Sequence, residues 1–349
     1  MRALFGAMSP DARQDFALAF LSILFEGAPF ILLGTVLSGF IDVYLPSGAM
    51  DRLLPRNRNL AVFAAGLMGA IFPVCECAVV PVIRRLVSKG LPVSCALTYM
   101  LAAPIVNPIT ALSTWKAFQG QNAEMMTGGR LALGFLVACA VGLVVSKLPL
   151  RKILKDQLAD ELEQETTTEN RHHHHHEHGD GCGHDHHHDH EGCCGHDHDH
   201  HHHHDEKPDP DTRLVAAFRS AMKDFVDVGT YFSIGVVITA LFNTGIAPGA
   251  EWLDTLATHP ATSSAAMMTL AFVLSLCSTS DAFIAATLDK FSWAAKLAFL
   301  TFGPMMDVKL IFLYQTVLRK RFILILAASL FIGIGAITVF WHHLMFPTP

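Results

Sequence analysis

The chain has 349 residues, 51% hydrophobic and 16% charged, with a formal net charge of −6. Those averages hide a division: residues 156 to 211 carry 17 of the 31 acidic residues against two bases, Arg171 and Lys207, for a local net of −15, which leaves the remainder at +9. A uniformly soluble protein is excluded, because that remainder is built from apolar runs long enough to cross a bilayer, for which about 20 residues suffice.

In chain order the apolar spans fall near 16–41, 60–83, 92–115 and 130–148, then 225–246, 264–287, 294–317 and 321–341. The sequence therefore predicts an all-α polytopic membrane protein of about eight transmembrane helices in two repeated halves, residues 1–150 and 213–349. A His-, Cys- and Asp-rich linker, residues 151–212, joins them and is expected to be disordered without metal, having too little apolar surface to offset chain entropy. The first span is too long, and wrongly flanked, for a cleaved signal peptide. Eight crossings would place both termini and the linker on one side, and the excess of Lys and Arg near that side marks it as cytoplasmic.

Within the first span, Glu26 stands in Phe25-Glu26-Gly27-Ala28-Pro29. A carboxylate in apolar surroundings can exchange protons near neutral pH, so Glu26 is a candidate proton-coupling group. The second span holds Phe72-Pro73-Val74-Cys75-Glu76-Cys77-Ala78, two thiols and a carboxylate within three residues at membrane depth. Ionisable residues there usually mark a substrate or proton path. Soft thiolates favour Cu(I), Zn(II) and other thiophilic species over Mg(II) or Ca(II). Prolines 73 and 81 interrupt this span and prolines 104 and 108 the next, so broken helices or re-entrant hairpins are expected. Asn107 follows Pro104 by three residues and could face the same cavity. A lone Cys139 reads as packing.

Eighteen of the 21 histidines lie between His172 and His204. Here Cys182-Gly183-His184-Asp185-His186 recurs as Cys194-Gly195-His196-Asp197-His198, with Cys193 beside the second copy. Imidazole and thiolate are ligands for Zn(II) and Cu, so Cys182, His184, His186, Cys193, Cys194, His196 and His198 form a candidate metal-binding set, with roles in capture, buffering or sensing.

The second half repeats the first at an offset near 200. Asp227 aligns with Glu26 and is the second proton-coupling candidate; Cys277 aligns with Cys77, Pro304 with Pro104, and Asp307 with Asn107. Leu276-Cys277-Ser278-Thr279-Ser280-Asp281 supplies Cys277, Ser280 and Asp281 as polar groups in an apolar run, and Met305 and Asp307 stand beside Pro304. Broken helices at matched positions of an internal duplication suggest a secondary transporter with its substrate site near the midplane. Inverted and parallel repeats both remain open.

These landmarks, Pro73-Val74-Cys75-Glu76-Cys77, Arg84-Arg85 with Lys89-Gly90, Ala103-Pro104 with Asn107-Pro108, Leu276 to Phe283, and Gly303-Pro304-Met305 with Asp307, resemble those of the ArsP-like permease family across nearly all of both halves. The resemblance implies an efflux permease of the bacterial inner membrane, with branches exporting trivalent organoarsenicals and others assigned to Cu/Zn efflux. The Cys-Glu-Cys form and the linker resemble the heavy-metal branch more.

The expected function is secondary-active export of Zn(II) and/or Cu; a trivalent organoarsenical permease and a membrane metal sensor or donor are the alternatives. No phosphate loop is present, and no nucleophile, base and oxyanion arrangement can be assembled, so neither ATP hydrolysis nor enzyme activity is expected. No cofactor is implied beyond the transported or linker-bound ion. The expected partners are heavy-metal ions and the lipid bilayer, with a homo-oligomer compatible and no nucleic acid. Because metal must displace protons from imidazole, zinc retained by the full-length protein should drop sharply between pH 7.5 and about 5.5, spanning the histidine range near 6.5; retention independent of pH, read by elemental analysis after buffer exchange, would remove the linker histidines as ligands.

Overall fold

The computed structural model describes residues 10–46, 54–55, 57–72, 74–155, 210–246 and 260–345. The first half contributes α1 (Pro10–Tyr44), α2 (Arg58–Ile71), α3 (Glu76–Ser88), α4 (Val93–Ala102), α5 (Pro108–Ala117) and α6 (Ala123–Val145), followed by the single turn α7 (Leu150–Ile153). The second half contributes α8 (Pro210–Ile246), α9 (Pro260–Leu274), α10 (Asp281–Thr287), α11 (Trp293–Met305), α12 (Val308–Tyr314) and α13 (Lys320–Met345). Both halves thus run long helix, two interrupted segments, long helix. The described residues contain no strand beyond one isolated bridge between Leu154 and Leu318.

Local chemistry fixes the interruptions. Pro108 sits in the first turn of α5, where its missing N–H is not needed, and the Asn107 side chain caps that helix by accepting from Ile109 N at 2.9 Å. Asp307 does the same for α12, accepting from Leu310 N at 2.7 Å. Cys75 precedes α3 in extended backbone, and Ser275 ends α9 at φ 48°, a left-handed conformation disfavoured for a non-glycine residue.

Residue pairings across the helices give their directions. Gly39 abuts Ala217 and Ala221 while Gly27 receives the Phe232 ring, so α1 and α8 run antiparallel. Any side chain at Gly39 would collide with the Ala217 carbonyl, so glycine is what lets the two helices approach. Gly34 lies on Ala78, Ser38 donates to Pro81 O and Asp42 meets Arg85, so α3 runs parallel to α1. α2 descends beside α4, with Gly69 against Ala103, and antiparallel to α6, with Gly66 near Cys139 and Val62 near Gly142. Segment α2–α3 therefore enters and leaves on the same face. In the second half Ala271 meets Gly303 and Met268 meets Gly335, which aligns α9 with α11, whereas Lys296 near the start of α11 reaches Ala286 O and Asp289 at the end of α10. Segment α9–α10 is a second hairpin, entering from the opposite face.

Among the described residues, all eight apolar segments of the sequence are thus helical, but six cross and two fold back. The crossings are α1, α4–α5, α6, α8, α11–α12 and α13. Five of these are long and apolar enough to span by composition, Trp293–Tyr314 among them; the sixth is the interrupted α4–α5, the first-half counterpart of α11–α12. The two halves are inverted relative to one another. This changes the expected topology: Pro10 and Met345 lie at one face, while Lys155 and Pro210, the described residues that flank positions 156–209, lie at the other. The reason is that hydropathy counts apolar residues and not chain direction, and a hairpin of two half-depth helices uses about as many as one crossing.

The two faces differ in charge. Fourteen Lys and Arg of the described residues lie at the linker face against four at the termini face (Arg13, Lys116, Lys290 and Lys296), with Arg130 and Lys309 between. A reporter fused to the C-terminus should therefore report the side opposite to one inserted in the linker. Equal signals from both positions, by paired phosphatase and fluorescent-protein fusions, would contradict the hairpins.

Candidate functional site

The interruptions converge midway between the two faces. Glu76, the first residue of α3, is 1% exposed, and its Oε1 lies 3.3 Å from Lys309 Nζ of α12. Ser278 donates to Oε2 of the same carboxylate at 3.3 Å. The Lys309 ammonium also donates to the carbonyls of Ser275 at 2.8 Å and Leu276 at 3.3 Å, which the end of α9 leaves without helical partners, and stands 3.5 Å from Asp307 Oδ2. Ser275 holds its left-handed backbone while its hydroxyl accepts from Val308 N at 3.2 Å, tying the two breaks of the second half together.

A second buried pair answers the first. Asp281, the first residue of α10, is 3% exposed and lies 2.7 Å from Arg130 of α6; Arg130 also donates to Ser278 O at 3.0 Å and Thr114 Oγ1 at 2.8 Å. Each hairpin therefore begins its returning helix with a carboxylate, and each carboxylate is neutralised by a base from the other half. Opposite charges at such separations in a low-dielectric interior attract strongly, but only the pairing makes their burial tolerable.

Cys75, Cys77 and Cys277 line one cavity with Glu26, Glu76, Lys309, Ile23, Gly27, Phe30 and Phe232. The cavity is about 10 Å³, the room of a single water, so this arrangement is closed. Among the described residues no group of three His, Cys, Asp or Glu stands close enough to hold a metal ion. The thiols surround a space without yet forming a coordination sphere.

Of the sequence candidates, the structure brings Cys75, Glu76, Cys77, Cys277 and Glu26 to this cavity. Ser280 borders it, 3.4 Å from Glu26 Oε1, and Asp307 reaches it through Lys309. Asp281 lies behind the second hairpin on Arg130. Asn107 is a helix cap, and Met305 is a fully buried core residue whose carbonyl accepts from Tyr314 OH at 3.0 Å; neither lines the cavity. Asp227 is separate from it: the side chain is half-exposed and pairs with Arg84 at 3.3 Å, beside a buried cluster in which Asp224 binds Arg85 and Ser38. Inversion explains the separation, since antiparallel α1 and α8 carry Glu26 and Asp227 to different depths. Cys182, His184, His186, Cys193, Cys194, His196 and His198 lie outside the described residues.

Sequence reasoning missed Arg130, Lys309 and Asp224. Lys309 stands two residues after Asp307, and the signal that marks it resembles that of Glu76, a charge within an apolar run. Arg130 was hidden at the edge of a span.

A fold of inverted halves, with interrupted helices meeting at a polar centre in an apolar body, defines a membrane permease. The chain belongs to the ArsP_1 family, described as a predicted permease, which it matches over residues 14–342. It is 35% identical over 308 residues to the UPF0718 protein YcgR of Bacillus subtilis, covering 88% of this chain and 90% of that protein. It is 29% identical over 323 residues to a Streptococcus mutans protein named "Putative two-component membrane permease complex subunit", covering 92% and 93%. No solved structure matches.

Replacing Arg130 by Leu leaves Asp281 buried without a counter-charge, and should lower stability by about 3 to 5 kcal/mol. Adding Asp281→Asn should recover much of that loss. Thermal unfolding of the detergent-solubilised protein measures both; a double variant no more stable than Arg130→Leu would show that the guanidinium acts through its other hydrogen bonds.

Proposed function

We propose that this permease exports thiophilic metal ions, Zn(II) and/or Cu, from the cytoplasm, taking them on Cys75, Cys77 and Cys277. The observation that carries this reading is the convergence of three thiols from both halves on one small cavity that also holds Glu76. Soft ligands contributed by two inverted halves can gather around an ion when the halves rock, and separate to release it. The excess of bases at the face where Lys155 and Pro210 lie supports a cytoplasmic assignment for that face, with Pro10 and Met345 toward the outside of a bacterial inner membrane. There the histidines and cysteines of the linker would gather ions at the entrance.

Energy comes from an ion gradient in this reading. Thiolate ligands form by losing protons, so loading the site expels protons and unloading recovers them, which makes metal-for-proton exchange the natural coupling. Glu26, exposed on α1 yet bordering the cavity and 3.4 Å from the Ser280 hydroxyl, is the group we assign to that exchange. Asp227, set in a surface ion pair, is the weaker proton-coupling candidate.

A second reading is favoured by one specific observation. The Lys309 ammonium already sits against Glu76, and its positive charge opposes a metal cation while leaving an uncharged trivalent organoarsenical unaffected. The name of the Streptococcus mutans relative adds a further proposal, that a second membrane subunit completes the permease.

Transport into everted membrane vesicles tests these readings. Zn(II) or Cu uptake should fall at least tenfold in Cys77→Ser and only partly when residues 171–206 are deleted. Unimpaired metal flux in Cys77→Ser removes the thiol site; flux of methylarsenite alone selects the second reading.

A further inference from the structure

We infer that the membrane domain carries a specific binding site for an anionic phospholipid between α6 and α13, at the linker face. The two helices touch little and leave between them a groove of about 580 Å³. Its walls are apolar: α6 contributes Leu136, Val137, Ala140, Val141, Val144 and Leu148, and α13 faces them from Phe322 to Ile337. Ser329 is the one hydroxyl in it, and that hydroxyl is already donated to Leu326 O. From Leu136 to Leu148 the wall rises about 18 Å at roughly 1.5 Å per residue. A single leaflet is about 15 Å deep, so the groove matches one acyl chain lying along the protein from the surface to the bilayer centre.

The charge at the open end selects the headgroup. The groove stops at Leu148 and Phe322, and the chain is basic at that level: Lys147 and Arg151 follow α6, and Lys320 and Arg321 open α13 beside the groove, all exposed. The backbone stitches these walls together at that level, where Lys155 N donates to Val317 O and Arg319 N to Ile153 O, both at 3.0 Å. Lys155, Arg319, Lys320 and Arg321 line, with Tyr231 of α8, a neighbouring shallow basin of about 420 Å³ that keeps this rim of the groove basic. Neither 145–155 nor 315–322 contains an Asp or Glu, and among the described residues no salt bridge is formed by Lys147, Lys155, Lys320 or Arg321. An apolar slot one leaflet deep that opens at a rim of exposed cations without nearby carboxylates is better matched by a phosphate diester with its acyl chain than by a zwitterionic lipid of the same length.

The site lies on α6 and α13, apart from the thiol cavity, so it stands whether or not the proposed substrate is right. Its occupancy would brace the two outer helices of the inverted halves at one face.

Native mass spectrometry of the full chain, exchanged into mixed micelles carrying phosphatidylglycerol or phosphatidylcholine, tests it. The unaltered protein should retain one phosphatidylglycerol in preference to phosphatidylcholine. Lys320→Gln with Arg321→Gln should reduce that preference about 30-fold, at roughly fivefold per basic side chain. Ser329→Trp, which fills the slot and leaves the charges in place, should expel the lipid as well. Equal retention of the two lipids by the unaltered protein, or undiminished preference in both variants, overturns the site. If the unaltered protein proves dimeric and Ser329→Trp dissociates it with lipid retention unchanged, the site is also overturned and the groove belongs to a second copy of the chain. Circular dichroism checks that each variant remains folded; Lys320→Arg with Arg321→Lys, which keeps the charge, should retain the preference and guards against a purely structural effect.

Discussion

Two carboxylates buried at the starts of returning helices set the terms for this molecule. Neither Glu76 nor Asp281 can stay charged in an apolar body without a partner, and each finds its partner in the opposite half: Lys309 for Glu76, Arg130 for Asp281. The hairpins that carry the carboxylates could not be held at membrane depth by apolar packing alone, because their turns expose backbone groups. The pairs meet that need, since Lys309 also caps the carbonyls of Ser275 and Leu276, and Arg130 that of Ser278. Removing a base therefore releases both a charge and a helix end.

The same pairs make the centre a place of choice between two arrangements. Buried ion pairs contribute less to stability than their Coulomb attraction suggests, but they discriminate strongly against unpaired alternatives. A structure whose halves are joined through two such pairs has few intermediate positions available. It favours discrete states, as the proposed rocking of the halves would require. The present arrangement is one in which the thiol cavity admits no more than a water. Opening it calls for movement at α1 and α8, whose Gly27 and Phe232 close it from the side.

Much of this was legible in the residues. The duplication, the breaks near Pro73, Pro104 and Pro108, and the pairing of Asn107 with Asp307 all follow from the residues, and the last two prove to be equivalent helix caps; Pro81, expected to interrupt its span, instead lies inside the continuous α3. Cys75, Cys77 and Cys277 were singled out because thiols beside a carboxylate have little reason to sit in lipid. What hydropathy could not give was direction. Residues 58–88 have the apolar content of a crossing, and only the contacts of Gly34 with Ala78 and Gly69 with Ala103 reveal that they return. Once two segments fold back, the termini move to the face opposite the linker, and the alignment of Glu26 with Asp227 no longer implies a shared place. Arg130 escaped notice for a related reason: a base at a span's edge looks interfacial until its helix is placed in depth.

The account rests on thiols from both halves holding the substrate together. X-ray absorption at the zinc edge, on zinc-loaded protein lacking residues 171–206 so that linker ligands are absent, addresses this directly. The account predicts sulfur scattering at about 2.3 Å from two or three thiolates, weakened in Cys277→Ser. A first shell of nitrogen and oxygen alone, unchanged by that substitution, would contradict it.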